Sequence, residues 1–466
     1  MVVTIVRTLV FTLYISPENF GLTALSGSFV ALISLLKDFG YTTYIIQQKE
    51  LNETELVAIN TRVLLLGIAA FVVTWMFVYP ISRFYDQIEL LWILPITGSL
   101  FIVNSFTLVP QALMRRNMEF DKIGMIEVGS NLAAVLIGII LLAFSRTYWI
   151  ILIISILYSF FQLLFTFRLS TWKHRFSNPF HTKLSKTGSV FGFRLMAFNV
   201  MTFLSLTVDN IIIGKVGGPA VLGNYTKSFE FGNSNIDRLI RKPVMQVYFS
   251  DLSGKSLDEK CRLFFQYLFL LLSLLTIIIG PALICLEWII TTLLSSEWQS
   301  LIKMLPPFLI STFFWMTMSL ADQLLITPDN LKKYLFLGLV KAVTGTTAIV
   351  IASFWGAEAI AWAFLIYHLV LFIPFCLVIF SRMSSGDYLL TKKRLVNACV
   401  IALTATVTAV LPFVFRYYHI LNMITSLIVF IVFYFMLQFV VWPRIRHYQS
   451  FKLFFKSLIS FKIAVA

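Results

Sequence analysis

Apolar runs long enough to cross a bilayer recur about fourteen times along this chain, separated by short loops. A helix needs about 20 mostly apolar residues to cross the ~30 Å hydrocarbon layer. Hydrophobic residues make up 59% of the chain and charged ones 13%, with a mean hydropathy of +0.86. A soluble domain cannot hide that much apolar surface in one core. The runs are continuous rather than alternating, which argues against a β-barrel. Backbone hydrogen bonds must close inside each segment in lipid, so helices remain. The sequence therefore predicts an all-α polytopic membrane protein. Helices are expected near 1–15, 20–46, 58–80, 90–113, 122–144, 147–168, 188–213, 218–249, 263–291, 303–326, 334–355, 358–380, 395–415 and 420–442.

Loop charge sets the expected orientation. One alternate set of loops carries Lys49, Arg115, Arg116, Lys122, Arg168, Lys173, Arg175, Lys183, Lys186, Lys255, Lys260 and Arg262. It continues through Lys332, Lys333, Arg382, Lys392, Lys393 and Arg394 to the basic C-terminal tail. The opposite set holds only Arg83, Arg146, Lys215, Lys303 and Arg416. This roughly fourfold to fivefold bias makes the first set cytoplasmic and puts both termini inside. It also accounts for the net charge of +15. A nucleic-acid partner would need basic residues clustered on a soluble domain, and the sequence has none. No cleavable secretory signal is visible. The four cysteines lack paired spacing and read as apolar filler, not as a metal or redox site.

The chain repeats itself. Pro17-Glu18-Asn19-Phe20-Gly21 follows the first run, and Pro219-Ala220-Val221-Leu222-Gly223 follows the seventh. The same offset sets Arg7 opposite Asp209. Leu94-Pro95 and Leu305-Pro306 open the fourth and tenth runs, and basic pairs Arg115-Arg116 and Lys332-Lys333 follow them. Several matches in one order predict two six-helix bundles related by a pseudo-two-fold axis along the membrane normal, with two further C-terminal helices. The expected layout is a bundle at 1–168, a basic cytoplasmic linker at 169–187, a second bundle at 188–380, and two helices with a basic tail at 381–466. The first run is short beside the seventh, since fifteen helical residues span about 22 Å. An upstream start or a truncated first helix is expected.

At this point several segments resemble those of bacterial polysaccharide (O-antigen and exopolysaccharide) flippases. They are Ser16-Pro17-Glu18-Asn19-Phe20-Gly21, Asp38-Phe39-Gly40, and Ile46-Gln47-Gln48-Lys49-Glu50-Leu51. The run from Pro110 to Phe120 is similar to that family's loop after its fourth helix. Asp209-Asn210-Ile211-Ile212-Ile213-Gly214 with Leu222-Gly223-Asn224-Tyr225 looks like its seventh-to-eighth junction. The likeness is good over roughly residues 10–255, and further on it rests mainly on hydropathy. The family's eighth helix usually closes with a Pro-Ala-Leu-Ser-like turn, where this chain has Tyr248-Phe249-Ser250-Asp251-Leu252-Ser253. The resemblance implies a member of the multidrug/oligosaccharidyl-lipid/polysaccharide exporter superfamily in the bacterial plasma membrane. Its cargo would be a polyprenyl-diphosphate-linked glycan. A polysaccharide polymerase and chain-length machinery would be possible partners.

Ionisable groups within spans are costly facing lipid and normally face the interior. The run 218–249 is the outlier, with Tyr225, Lys227, Glu230, Asn233, Asn235, Asp237, Arg238, Arg241 and Lys242. It reads as a cavity-lining helix, or as one that ends in the cytoplasmic interface. Arg holds phosphate bidentately and Lys as a point charge, which suits a diphosphate. Arg194, Lys227, Arg241, Lys341 and Arg7 are the candidate cargo-binding cations. An intramembrane ion pair or a snorkelling side chain is the competing explanation for each. Asp209, Asp38, Glu127 and Asp322 are candidates for binding a coupling proton or Na⁺, against salt bridging to nearby cations. No other cofactor is expected.

Ser253-Gly254-Lys255-Ser256 resembles the tail of a phosphate-binding loop, but Phe249 stands where its first glycine belongs. No hydrolase, zinc or dinucleotide motif is present, and no loop is large enough for a glycosyltransferase site. An enzyme is therefore not expected. The remaining rivals to a flippase are a multidrug/cation antiporter, a peptidoglycan-precursor flippase, and a membrane glycosyltransferase or polymerase.

Overall fold

Among the described residues the apolar runs become helices, with ends set by caps and turns. The computed structural model describes residues 2–38, 41–47, 52–172, 174–176, 207–252, 255–324, 331–383 and 388–444. The helices are α1 (Val2–Tyr14), α2 (Pro17–Asp38), α3 (Tyr41–Gln47), α4 (Glu53–Tyr85), α5 (Leu90–Arg116), α6 (Phe120–Leu141) and α7 (Tyr148–Leu169). After α8 (207–216) come α9 (Gly218–Phe229), α10 (Lys242–Asp251), α11 (Leu257–Leu293), α12 (Ser300–Gln323) and α13 (Leu331–Ser353). The last three are α14 (Ala357–Met383), α15 (Tyr388–Tyr417) and α16 (Met423–Met436). Among the described residues there is no strand, and ten helices are long and apolar enough to cross a membrane. The protein is thus a polytopic all-α membrane protein. The expected helix at 20–46 is two helices, α2 and α3. The chain forms two compact units, 1–226 and 227–466, and the division falls inside the helix that begins at Gly218.

In the first unit α4 lies along α5, α6 along α7, and α2 rests on both α4 and α5. Small and hydroxylated side chains make the close contacts. Ser26 Oγ and Thr97 Oγ1 are 2.8 Å apart, and Gln111 Nε2 donates to Thr166 Oγ1 at 3.2 Å. A buried cluster of Ile45, Leu56, Ile59, Val63, Val109 and Ala112 fastens α3 to α4 and α5. The start of the basic stretch folds onto the same end: Arg175 Nη1 meets Glu53 Oε1 at 2.6 Å, and His174 Nδ1 lies 3.2 Å from Asn60 Oδ1. Partial burial pushes the His174 imidazole below its usual pKa.

The turn after α5 shows why the segment Pro110 to Phe120 has its shape. Met118 N–H donates to the Arg115 carbonyl at 3.2 Å and Glu119 N–H to the Met114 carbonyl at 2.9 Å. That is a Schellman closure, whose left-handed position is usually glycine. Here it is Met118, at φ 60° and exposed. Met118→Gly is expected to stabilise the protein by about 1 kcal/mol, because a Cβ is disfavoured at that φ. A melting-temperature rise in detergent would show it, and a fall would contradict the strain.

In the second unit α12 packs on α14, and α11 on α15. Phe264, Phe265, Phe269, Phe308, Phe313 and Phe380 fill the core between them. Ser256 caps α11, its Oγ accepting from Glu259 N–H while the Glu259 carboxylate accepts from Ser256 N–H at 2.9 Å.

Candidate functional site

The polar run 218–249 forms one continuous helical rod from Gly218 to Asp251, with two π-helical turns at Glu230–Ser234 and Asp237–Arg241. Pro243 sits in the first turn of α10, directly after the second of them. Proline has no N–H and crowds the carbonyl four residues back, so a wide turn before it relieves both problems. Gly232 lets the first wide turn approach α12: a Cβ there would lie 2.7 Å from Phe308 Cβ. Thr312 Oγ1 lies 3.0 Å from the Gly232 carbonyl and 2.9 Å from that of Phe308, and shares its proton between them. Wide turns of this kind are frequent at functional positions in helices.

The rod's charges come in pairs. Lys227 Nζ is 2.7 Å from Glu230 Oε2, with the lysine side chain 9% exposed. Arg241 Nε donates to Asp237 Oδ1, its Nη1 donates to Ser319 Oγ at 3.1 Å, and its guanidinium lies 5.0 Å from the Trp315 ring centroid. Lys341, on α13, meets Asp322 of α12 at 2.6 Å and sits 4.5 Å from the Phe375 ring centroid. Arg241 is also within electrostatic reach of Asp322. The structure thus gathers Lys227 and Arg241 on one rod, and links Arg241 through Asp322 to Lys341. Each of these cations is matched by a carboxylate, which is how charge survives in a low-dielectric interior.

The other candidates are placed differently. Asp209 is buried in the first unit, where Tyr225 OH donates to its Oδ2 at 2.7 Å and the Asn210 N–H to its Oδ1 at 2.8 Å. Among the described residues it has no basic partner. Arg7 of α1 and Glu127 of α6 both act electrostatically on the Tyr158 hydroxyl of α7, and Asn131 Nδ2 donates to Thr4 Oγ1 at 2.9 Å nearby. This polar group lies within the first unit. Arg194 and the side chain of Asp38 lie outside the described residues. Among the described residues no cluster of His, Cys, Asp or Glu is placed to hold a metal ion. A groove of about 820 Å³ between α13 and α14 is walled by Trp355, Trp362 and Tyr367. Its one charged lining residue, Glu358, has the wrong sign for a diphosphate.

The repeated motifs meet. A Cβ on Gly21 would collide with the Pro219 carbonyl and lie 2.8 Å from Pro219 Cα; a Cβ on Gly223 would collide with the Pro17 carbonyl and lie 3.0 Å from Pro17 Cα. Each glycine therefore seats the backbone of the other motif's proline, all within the first unit. Tyr85 OH, 3.4 Å from the Ile211 carbonyl, and the pair Lys215–Asp86 at 3.1 Å tie α8 to α4 beside this crossing. The motif was visible in the sequence as a repeat, but nothing there signalled that its two copies touch.

Residues 11–303 match the family described as polysaccharide biosynthesis protein. The chain belongs to that family. The likeness to polysaccharide flippases read from residues 10–255 is thereby borne out. The lipopolysaccharide biosynthesis protein WzxC of Escherichia coli K12 is 25% identical over 309 residues, which cover 65% of this chain and 61% of that protein. A membrane protein in the cps region of Klebsiella pneumoniae is 28% identical over 278 residues, 58% of this chain and 55% of its own. The matched region thus spans about three fifths of these relatives. The lipid II flippase MurJ in an inward closed conformation superposes with a TM-score of 0.65 over 95% of this chain and 96% of its own, at 14% identity. That likeness shows a shared fold.

Proposed function

We propose that this protein is a flippase that carries a polyprenyl-diphosphate-linked oligosaccharide from the cytoplasmic to the outer leaflet of the bacterial plasma membrane, with both termini cytoplasmic. The observation that carries this is the set of cation–carboxylate pairs Lys227–Glu230 and Arg241–Asp237 on the rod, and Lys341–Asp322 on the spans α12 and α13, of a polysaccharide biosynthesis protein. A pair keeps each cation neutralised while no cargo is bound. A diphosphate, with more charge and more acceptor oxygens than one carboxylate, competes for the same Lys or Arg donors. Binding then leaves a carboxylate without its partner, which favours a second arrangement of the helices. Alternating access follows from that exchange, with the lipid tail left in the bilayer. Asp209, which has a hydrogen-bonded seat and no cation partner among the described residues, and Asp322 are the candidate positions for a coupling proton or Na⁺.

The test is mass spectrometry of lipid-linked glycans in a deletion strain of the native host. Complete repeat units should accumulate on their lipid carrier, and the wild-type gene should clear them. Lys227→Ala, produced at normal membrane levels, should fail to clear them. Truncated units would point instead to a glycosyltransferase, and no accumulation would bring forward the antiporter.

A further inference from the structure

Several polar groups around the two wide turns of the rod have partners. Lys227 has Glu230, Arg241 has Asp237 and Ser319, and the Gly232 carbonyl has Thr312. Asn233 lies in the first wide turn and Asn235 just after it, only 3% and 6% exposed. Yet Asn233 Nδ2 and Asn235 Oδ1 are buried without a hydrogen-bond partner. Buried amides nearly always have partners, so two orphans within three residues of one helix call for an explanation. A Leu of similar volume at either position would avoid the desolvation penalty altogether.

The orphaned atoms are complementary to a sugar. One is an N–H donor and the other an oxygen acceptor. Neighbouring sugar hydroxyls can accept from the first and donate to the second. Amides carry no net charge, so they suit neutral hydroxyl-bearing units, while the flanking cations suit phosphate. Sites built to hydrogen-bond an OH reject ligands that lack it, because their own polar groups are then left unpaired. We propose that Asn233 and Asn235 each hydrogen-bond a neutral sugar hydroxyl of the cargo. This rests on the flippase function proposed above. It makes these two amides specificity-determining residues, kept at a cost to stability.

The test uses the full-length protein in the deletion strain, with wild type, Asn233→Leu, Asn235→Leu and the double variant at matched membrane levels. The double variant should accumulate lipid-linked repeat units at least tenfold above wild type. Its melting temperature in detergent should equal or exceed that of wild type. The repeat unit released from its lipid should raise the melting temperature of wild type and not of the double variant. Normal clearance by the double variant overturns the inference. So does lost clearance with a lowered melting temperature, which would make the amides structural. If the empty deletion strain accumulates nothing, the flippase proposal fails first and takes this one with it; the two failures are therefore distinguishable.

Discussion

Gly21→Ala is expected to stop transport while the protein still reaches the membrane. The new Cβ collides with the Pro219 carbonyl, a backbone atom held in a helix that cannot swing aside as a side chain would. α2 and the start of the rod must part, and overpacking of this kind costs about 1–3 kcal/mol. Gly223→Ala should do the same through Pro17. The double variant should lose less than the sum of the two, since helices already parted by one methyl have room for the second. Gly27 supplies the control: a Cβ there meets nothing within 4 Å, so Gly27→Ala should be neutral or stabilise α2 by about 0.5–1 kcal/mol. Complementation of the deletion strain and melting temperatures in detergent read both quantities. Wild-type export and stability in Gly21→Ala would show that the two helices do not need this approach.

Removing one member of the Asp322–Lys341 pair should cost more than removing both. Asp322 is 9% exposed and its carboxylate faces Lys341 at 2.6 Å, with Arg241 within reach. Asp322→Ala strands a lysine on an intramembrane helix, and breaking a buried pair in this way costs about 3–5 kcal/mol. Asp322→Leu combined with Lys341→Met leaves no orphan charge and should melt close to wild type. Export separates structure from transport. If the pair serves transport, the double variant folds and does not export. Equal stability in all three proteins would mean that the pair does not hold α12 to α13.

Much of this fold could be read in the sequence because each span must close its own hydrogen bonds, which ties helix positions to hydropathy. The ends were less legible. α4 begins at Glu53, five residues before the apolar run, since its first turn is acidic and favoured by the helix dipole rather than by burial. α11 likewise begins at a capping box hidden in the Ser-Gly-Lys-Ser segment. The candidate cations were found because charge is rare in lipid. Two of their partners were open to discovery from spacing alone, Lys227–Glu230 at i,i+3 and Asp237–Arg241 at i,i+4. Asp322 and Lys341 are 19 residues apart on different helices, and no local pattern announces their contact. The orphan amides could not be foreseen, because an asparagine without a partner is a property of packing.

The crossing of Pro17–Gly21 with Pro219–Gly223 is one contact written twice, with each motif acting as both donor of a glycine and recipient of a proline backbone. That reciprocity is the form of an isologous interface, in which residue i meets j and j meets i. A single repeat bearing Pro-x-x-x-Gly could make both contacts by pairing with a copy of itself. Gene duplication and fusion would convert such a homodimer into one chain and release its halves from having to be identical. Divergence could then leave α2 apolar at its core and load the corresponding rod with charge, with glycine required at only two positions to keep α2 against the start of the rod.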